Sequence, residues 1–174
     1  MNNTKTMKMS RSLRMLLIFG LILINVGCDQ VSKSVARTHI NDTERISVIG
    51  EYLVLMKTEN KGAFLGFLSS MESSILKSIF LIVLPVAVLF FILRMIIVNT
   101  DLDRFMIVGL CCIIGGGIGN LYDRILYRSV TDFMHIDLGG IFKTGIFNMA
   151  DVSVMLGTGL LIVSFIKRKE VSLS

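Results

Sequence analysis

The sequence predicts an all-α integral membrane protein of four transmembrane helices, with a small sheet on its outer surface. Three observations lead there. Of 174 residues, 53% are hydrophobic and 18% charged, with a mean hydropathy of +0.73, whereas a soluble domain has about 45–50% apolar and about 25% charged residues. Four apolar runs are each long enough to cross a bilayer, which takes about 17–25 residues. The basic residues collect at the ends of those runs. The net charge is +5, but there is no basic stripe interleaved with aromatics, so nucleic acid is not an expected partner.

The first run covers residues 13–28 and is interrupted by Arg14 and Asn25. The second, 75–98, holds Pro85, which is expected to kink it, as membrane helices tolerate. The third, 105–122, is rich in glycine. The fourth, 146–166, carries a single charge, Asp151. Together they make one membrane-embedded domain over residues 1–174. Between the first two spans, Ile46, Val48, Tyr52, Val54 and Met56 fall at even spacing, the period of short β-strands, and Asn60-Lys61-Gly62 has turn chemistry. The segment 129–145 is too short to classify alone.

The ends of the spans set the orientation. Lys5, Lys8, Arg11 and Arg14 precede the first span without an acidic residue, and Lys167, Arg168 and Lys169 follow the fourth. The connections 29–74 and 123–145 are nearly balanced in charge. The positive-inside rule then places both termini in the cytoplasm and both long connections outside. Val26-Gly27-Cys28-Asp29 has the look of a lipid-attachment site after a signal peptide. Asn25 stands where a Leu-like residue is usual there, and three further spans leave no need for a lipid anchor.

Hydrophobicity does not explain Asp29, Lys33, Asn120, Asp123, Arg124, Asp132, Asn148 and Asp151. Charges near the apolar zone are costly and face protein rather than lipid. Nearly all of these lie at the outer end of a span, which favours one polar site over a conduction path. Asp151, about one and a half turns into the last run, is the sharpest of them. It is either one half of an ion pair with Arg124 or Lys33, or a member of a carboxylate pair sharing one proton. Asn148, three residues earlier, lies on nearly the same face and can donate to it. Asp123 and Asp132 both qualify as its partner. Asp123 adjoins Arg124, while Asp132 has no neighbouring cation.

Other chemistry fits less well. The glycine run 115–119 lacks the GK[ST] of a phosphate loop and suits close helix packing. His39 and His135 have no metal-site spacing. Ser32 and Ser34 do not share a useful helical face with Lys33, and Cys28, Cys111 and Cys112 make no disulfide framework.

Five motifs in order carry a family resemblance: Asp29-Gln30-Val31-Ser32-Lys33, Asn60-Lys61-Gly62-Ala63-Phe64, Gly116-Gly117-Ile118-Gly119-Asn120-Leu121-Tyr122-Asp123-Arg124, Val130-Thr131-Asp132-Phe133 and Phe147-Asn148-Met149-Ala150-Asp151. Over residues 13–166 the chain resembles lipoprotein signal peptidase, also called signal peptidase II, of the aspartyl peptidase family A8. The resemblance implies four spans, cytoplasmic termini, an extracytoplasmic β-cradle at about residues 40–68, and a helical flap. It implies an endopeptidase of the bacterial cytoplasmic (inner) membrane, with its active site near the outer face. That enzyme removes the signal peptide from diacylglyceryl-modified prolipoproteins just before the lipidated cysteine. By the same resemblance Asp132 and Asp151 are the catalytic pair and Asp123 is structural. Asp29, Lys33, Asn60, Gly62, Asn120, Arg124, Asn148 and Ala150 match supporting or substrate-binding positions. No metal or cofactor is implied. Implied partners are the prolipoprotein, membrane phospholipid, and cyclic peptide inhibitors of the globomycin type. Lys61 and Phe64 depart from the commoner Asn-Thr-Gly-Ala-Ala, a change expected to reshape the flap. A small transporter with an outer carboxylate gate and a noncatalytic assembly protein are the rival readings.

Overall fold

The computed structural model describes residues 10–62, 73–140 and 142–173. Lys5 and Lys8 of the N-terminal basic cluster, and Ala63 and Phe64 of the outer motif, lie outside them. Helix α1 is Arg11–His39. Strands β1 (Ile46–Ile49) and β2 (Leu53–Asn60) follow. Helix α2 (Ser74–Ser78), a π-helical turn (Ile79–Val83) and α3 (Leu84–Val98) form the next span. Then come α4 (Arg104–Tyr127), β3 (Val130–Ile136) and α5 (Met149–Leu173).

Four helices are long and apolar enough to cross a membrane. Their large apolar side chains, such as Leu16, Leu23, Phe90 and Met155, are exposed, as lipid-facing residues must be. The second span widens into its π turn directly before Pro85. Proline has no N–H to give the preceding turn and its ring crowds the carbonyl four residues back. A wide turn absorbs both defects.

Helix α4 is the centre of the bundle, with 44% of its most apolar stretch buried against 11–22% for the others. Ile18 and Ile22 of α1, Ile96 of α3, and Leu110, Cys111 and Ile114 of α4 make one core. At that end Arg14 donates to the carbonyls of Ile96 (2.9 Å) and Asn99 (2.6 Å), satisfying acceptors that the end of α3 leaves open. The glycines of α4 allow close approach: a Cβ at Gly116 would collide with the carbonyl oxygen of Ala150 on α5. In the middle of the bundle Asn25 accepts a hydrogen bond from Ser153, while Cys28 faces outward.

The three strands form one antiparallel sheet in the order β1-β2-β3. Asn60 stands opposite Val130, Glu59 opposite Thr131, and Thr58 opposite Asp132. Arg128, left-handed at φ 62°, ends α4 and turns the chain straight into β3. The sheet is therefore held over the ends of α1 and α4 and the start of α5. Ala36, Ile40 and Phe133 pack together there as a second, smaller core.

Candidate active site

One stripe of α1 supplies the floor of the polar cluster. Asp29 and Lys33 are four residues apart, hence on one face, and their side chains are fully buried with Nζ 2.8 Å from Oδ2. Lys33 also lies 3.2 Å from Asp123 Oδ2 and donates to Asn120 Oδ1 at 2.8 Å. The other oxygen of Asp29 accepts from the Ala150 N–H at 2.9 Å, an anion at the start of α5 where free N–H groups point outward. Gln30 Nε2 reaches Asp29, Asp123 and the Gly119 carbonyl, each at 3.1 Å. A side chain at Gly119 would strike the Asp29 carboxylate. Arg37 completes the group, 2.8 Å from Asp123 Oδ2. Two carboxylates and two cations thus balance one another, the condition under which buried charges are tolerated.

Above this layer lies a cavity of about 180 Å³ lined by Asp132, Asp151, Asn60, Asn120, Asn148 and Arg124. Asp132 arrives on β3 and is 3% exposed. Its Oδ2 accepts from Asn60 Nδ2 at 3.0 Å and its Oδ1 from Asn148 Nδ2 at 2.5 Å. Asp151 arrives on the first turn of α5. Its Oδ1 accepts from Asn120 Nδ2 at 3.1 Å and its Oδ2 from the Asn148 N–H at 3.0 Å. The Asp151 N–H in turn donates to Asn148 Oδ1 at 3.1 Å. This reciprocal arrangement is that of a capping box, so Asn148 and Asp151 start the helix as well as furnish the cavity. Arg124 Nη2 donates to the Gly62 carbonyl at 3.0 Å, and Gly62 N–H donates to Asn60 Oδ1 at 3.0 Å. Arg124 Nε is buried without a hydrogen-bond partner among the described residues.

Burial pushes the Asp132 carboxyl up to about 6, because removal from water penalises its charged form. The amides of Asn60 and Asn148 work against that rise. The nearby charge of Asp151 adds to it and that of Lys33 opposes it.

Several expectations change in detail. Asp151 lies not one and a half turns inside a helix but in its first turn, because Asn148 caps α5 and the preceding residues pair with β3. The side-chain Nδ2 of Asn148 donates to the Asp132 carboxyl, and its backbone N–H donates to that of Asp151. Neither Lys33 nor Arg124 forms an ion pair with Asp151 among the described residues. Lys33 reaches it through Asn120, which accepts from Lys33 and donates to Asp151. Asp123 belongs to the ion cluster below the cavity. As its spacing from Lys33 predicts, Ser32 makes no pair with it, and its hydroxyl donates to the Asp29 carbonyl. Gln30, Arg37, Glu59 and Thr131 were not singled out by sequence. Gln30 and Thr131 stand inside the quoted motifs with no role of their own, and of the four only Arg37 left a spacing signal, four residues beyond Lys33 on the same helical face.

Comparison with known proteins adds a decisive match. The profile of the family described as signal peptidase (SPase) II fits residues 21–167. The chain belongs to the signal peptidase II family. It is 36% identical over 151 residues to the lipoprotein signal peptidase of Maridesulfovibrio salexigens, spanning 86% of this chain and 96% of that one. To the lipoprotein signal peptidase of Clostridium tetani it is 34% identical, over 84% and 90% of the two chains. A solved structure described as a bacterial membrane enzyme superposes with a TM-score of 0.77 at 27% identity, covering 88% of this chain and 89% of that one. The protein is thus an aspartic peptidase of the signal peptidase II family and a multi-pass protein of the inner membrane, acting on lipoprotein signal peptides.

Proposed function

We propose that Asp132 and Asp151 are the catalytic pair that hydrolyses the signal-peptide bond of diacylglyceryl-modified prolipoproteins just before the lipidated cysteine. One observation carries this reading. A single residue, Asn148, is hydrogen-bonded to both carboxyl groups, and both line the same cavity. Asp132, more deeply buried, holds the shared proton, and Asp151 takes a proton from water as its oxygen attacks the scissile carbonyl carbon. Asp132 gives its proton to the carbonyl oxygen. As the tetrahedral intermediate collapses, the C–N bond breaks and the cysteine amine leaves with a proton returned through the pair. Arg124, at the cavity wall, supports the reaction with an Nε donor that no described residue accepts.

Asn60 and Asn148 hold Asp132, Asn120 holds Asp151, and Asp29, Lys33, Gly62 and Ala150 brace them. Asp123 is structural in this reading. Charge balance supports it: one proton on the pair leaves a single negative charge facing Arg124.

The basic residues beside the first and fourth spans support cytoplasmic termini, which puts the cavity near the outer face. There the diacylglyceryl chains remain among the phospholipids while the signal helix lies against the spans. The whole of residues 1–174 then acts as one peptidase domain, with its cradle at about 40–68. Cyclic peptide inhibitors of the globomycin type would compete for the same cavity.

The test is a gel-shift cleavage assay on purified protein with lipidated and unlipidated prolipoprotein. Cleavage confined to the lipidated form and lost in Asp132→Asn and Asp151→Asn is expected. Near-normal cleavage by either folded variant would defeat the assignment.

A further inference from the structure

We propose that Arg37, Thr131 and Glu59 form a positioning bracket behind Asp132, on the face of the sheet turned away from the cavity. The inference rests on the reading of Asp132 as catalytic and adds the residues that set where its carboxyl sits.

Neighbouring residues in a strand point to opposite faces. Val130 and Asp132 line the cavity together with Asn60, which pairs with Val130. Thr131 and its partner Glu59 therefore share the back face. Thr131 is fully buried and fixed at three points. Its N–H donates to Asp123 Oδ2 at 3.2 Å. Its hydroxyl accepts from Arg37 Nε at 2.8 Å and donates to Glu59 Oε1 at 2.8 Å.

The chemistry allows one polarity here. A guanidinium can only donate and an ionised carboxylate only accept, so the hydroxyl is used in both directions. Each end is itself held. Arg37 lies 2.8 Å from Asp123 and stacks over the Tyr127 ring at 4.2 Å, while Ser129 Oγ donates to the other Glu59 oxygen at 2.5 Å.

The bracket ties α1, α4 and both strands together one residue away from Asp132. On the cavity face the Asn60–Asp132 hydrogen bond crosses the same two strands diagonally. Its length depends on the register that the bracket fixes. Among the described residues the charged groups around Asp132 are Asp151 from α5, Arg124 from α4 and Lys33 from α1. None belongs to the bracket, so variants in it act on Asp132 through position.

The experiment compares Thr131→Val, which keeps the β-branched shape and removes the hydroxyl, with Thr131→Ser, which keeps the hydroxyl. Both are measured as the full chain, purified, with a lipidated prolipoprotein substrate. Thr131→Val is expected to lose roughly tenfold in kcat with KM within about twofold, the signature of a sub-ångström displacement. The alkaline limb of its pH profile should also move. Thr131→Ser should retain wild-type values. Glu59→Ala, at an exposed position, should lose about threefold in kcat on the same argument.

Wild-type kcat and pH profile in Thr131→Val, or equal losses in the Val and Ser variants, would overturn the bracket. If Thr131→Val does not fold, Glu59→Ala decides, and an unchanged kcat and profile there overturns it. Asp132→Asn runs alongside. Cleavage by that variant sinks the reading of Asp132 itself, whereas an inactive Asp132→Asn beside a wild-type-like Thr131→Val sinks the bracket alone.

Discussion

Replacing Asn60 by Leu should make Asp132 a weaker acid and move the alkaline limb of kcat/KM upward. Asn60 Nδ2 donates to Asp132 Oδ2 at 3.0 Å, and that bond stabilises the charged form of a carboxyl that burial has raised to about 6. The protonated pair is the active one, so activity falls as pH rises past the upper titration of the pair. A hydrogen bond to a charged group contributes about 1.5–3 kcal/mol. One unit of acidity corresponds to about 1.36 kcal/mol, so removal of this bond shifts the limb by about one to two units. The Asn148 amide, at 2.5 Å, remains in place and keeps the shift near the lower end, from about 6 to about 7. Leu keeps the branched shape of Asn and is bulkier, which hinders water from replacing the lost donor. The assay is initial-rate cleavage of a lipidated peptide across the pH range, with Lys61→Ala as an exposed neighbour that should not shift the limb. A limb that stays in place or moves acidic in Asn60→Leu would refute the claim that this bond controls the Asp132 proton.

Other outcomes follow from the same geometry. Because Asp132 holds its proton more tightly when folded, its own contribution to stability is fully present below about pH 4 and is lost across the window to about pH 6, about 3 kcal/mol in all. Asp132→Asn removes that dependence, so the fall in melting temperature that wild type shows between about pH 4 and about pH 6 should shrink in the variant; an equal fall in both counts against a buried, raised carboxyl. Gly116→Ala sets a methyl group against the Ala150 carbonyl, and about 1–3 kcal/mol of stability should be lost as α4 and α5 separate. An unchanged melting curve would refute that close contact. Lys33→Met leaves Asp29 and Asp123 without their shared cation, a loss of about 3–5 kcal/mol. It should show as failure to recover folded protein from the membrane, and normal recovery would contradict the balanced-charge account.

Composition and run length by themselves determined the four membrane-crossing helices, because lipid demands long apolar segments with their backbone satisfied internally. The alternation of Ile46, Val48, Tyr52 and Val54 foretold strands, and the common level of Asp29, Asn120, Asp132 and Asp151 foretold one polar site at one end of the bundle. Local chemistry went no further than that. Nothing near Asn148 in the chain says that its Nδ2 turns to the carboxyl of Asp132 rather than to that of Asp151. The choice is made when β3 and the start of α5 meet across a β-bridge between Met134 and Phe147. Asp151 read as deep because Ile146 and Phe147 are apolar, yet those residues belong to the sheet side of the cap and the helix begins after them. Asp123 and Asp132 were equivalent by side of the membrane until folding put Lys33 and Arg37 against one and two amides against the other. Thr131 and Glu59 carried no signal, since a hydroxyl and an acid in a strand pattern look like ordinary surface residues. Their roles depend on strand register and on the end of α1 reaching the sheet. Hydrophobic periodicity is a property of neighbours along the chain, whereas the proton on a buried carboxyl is set by groups that only the tertiary fold brings within hydrogen-bonding distance.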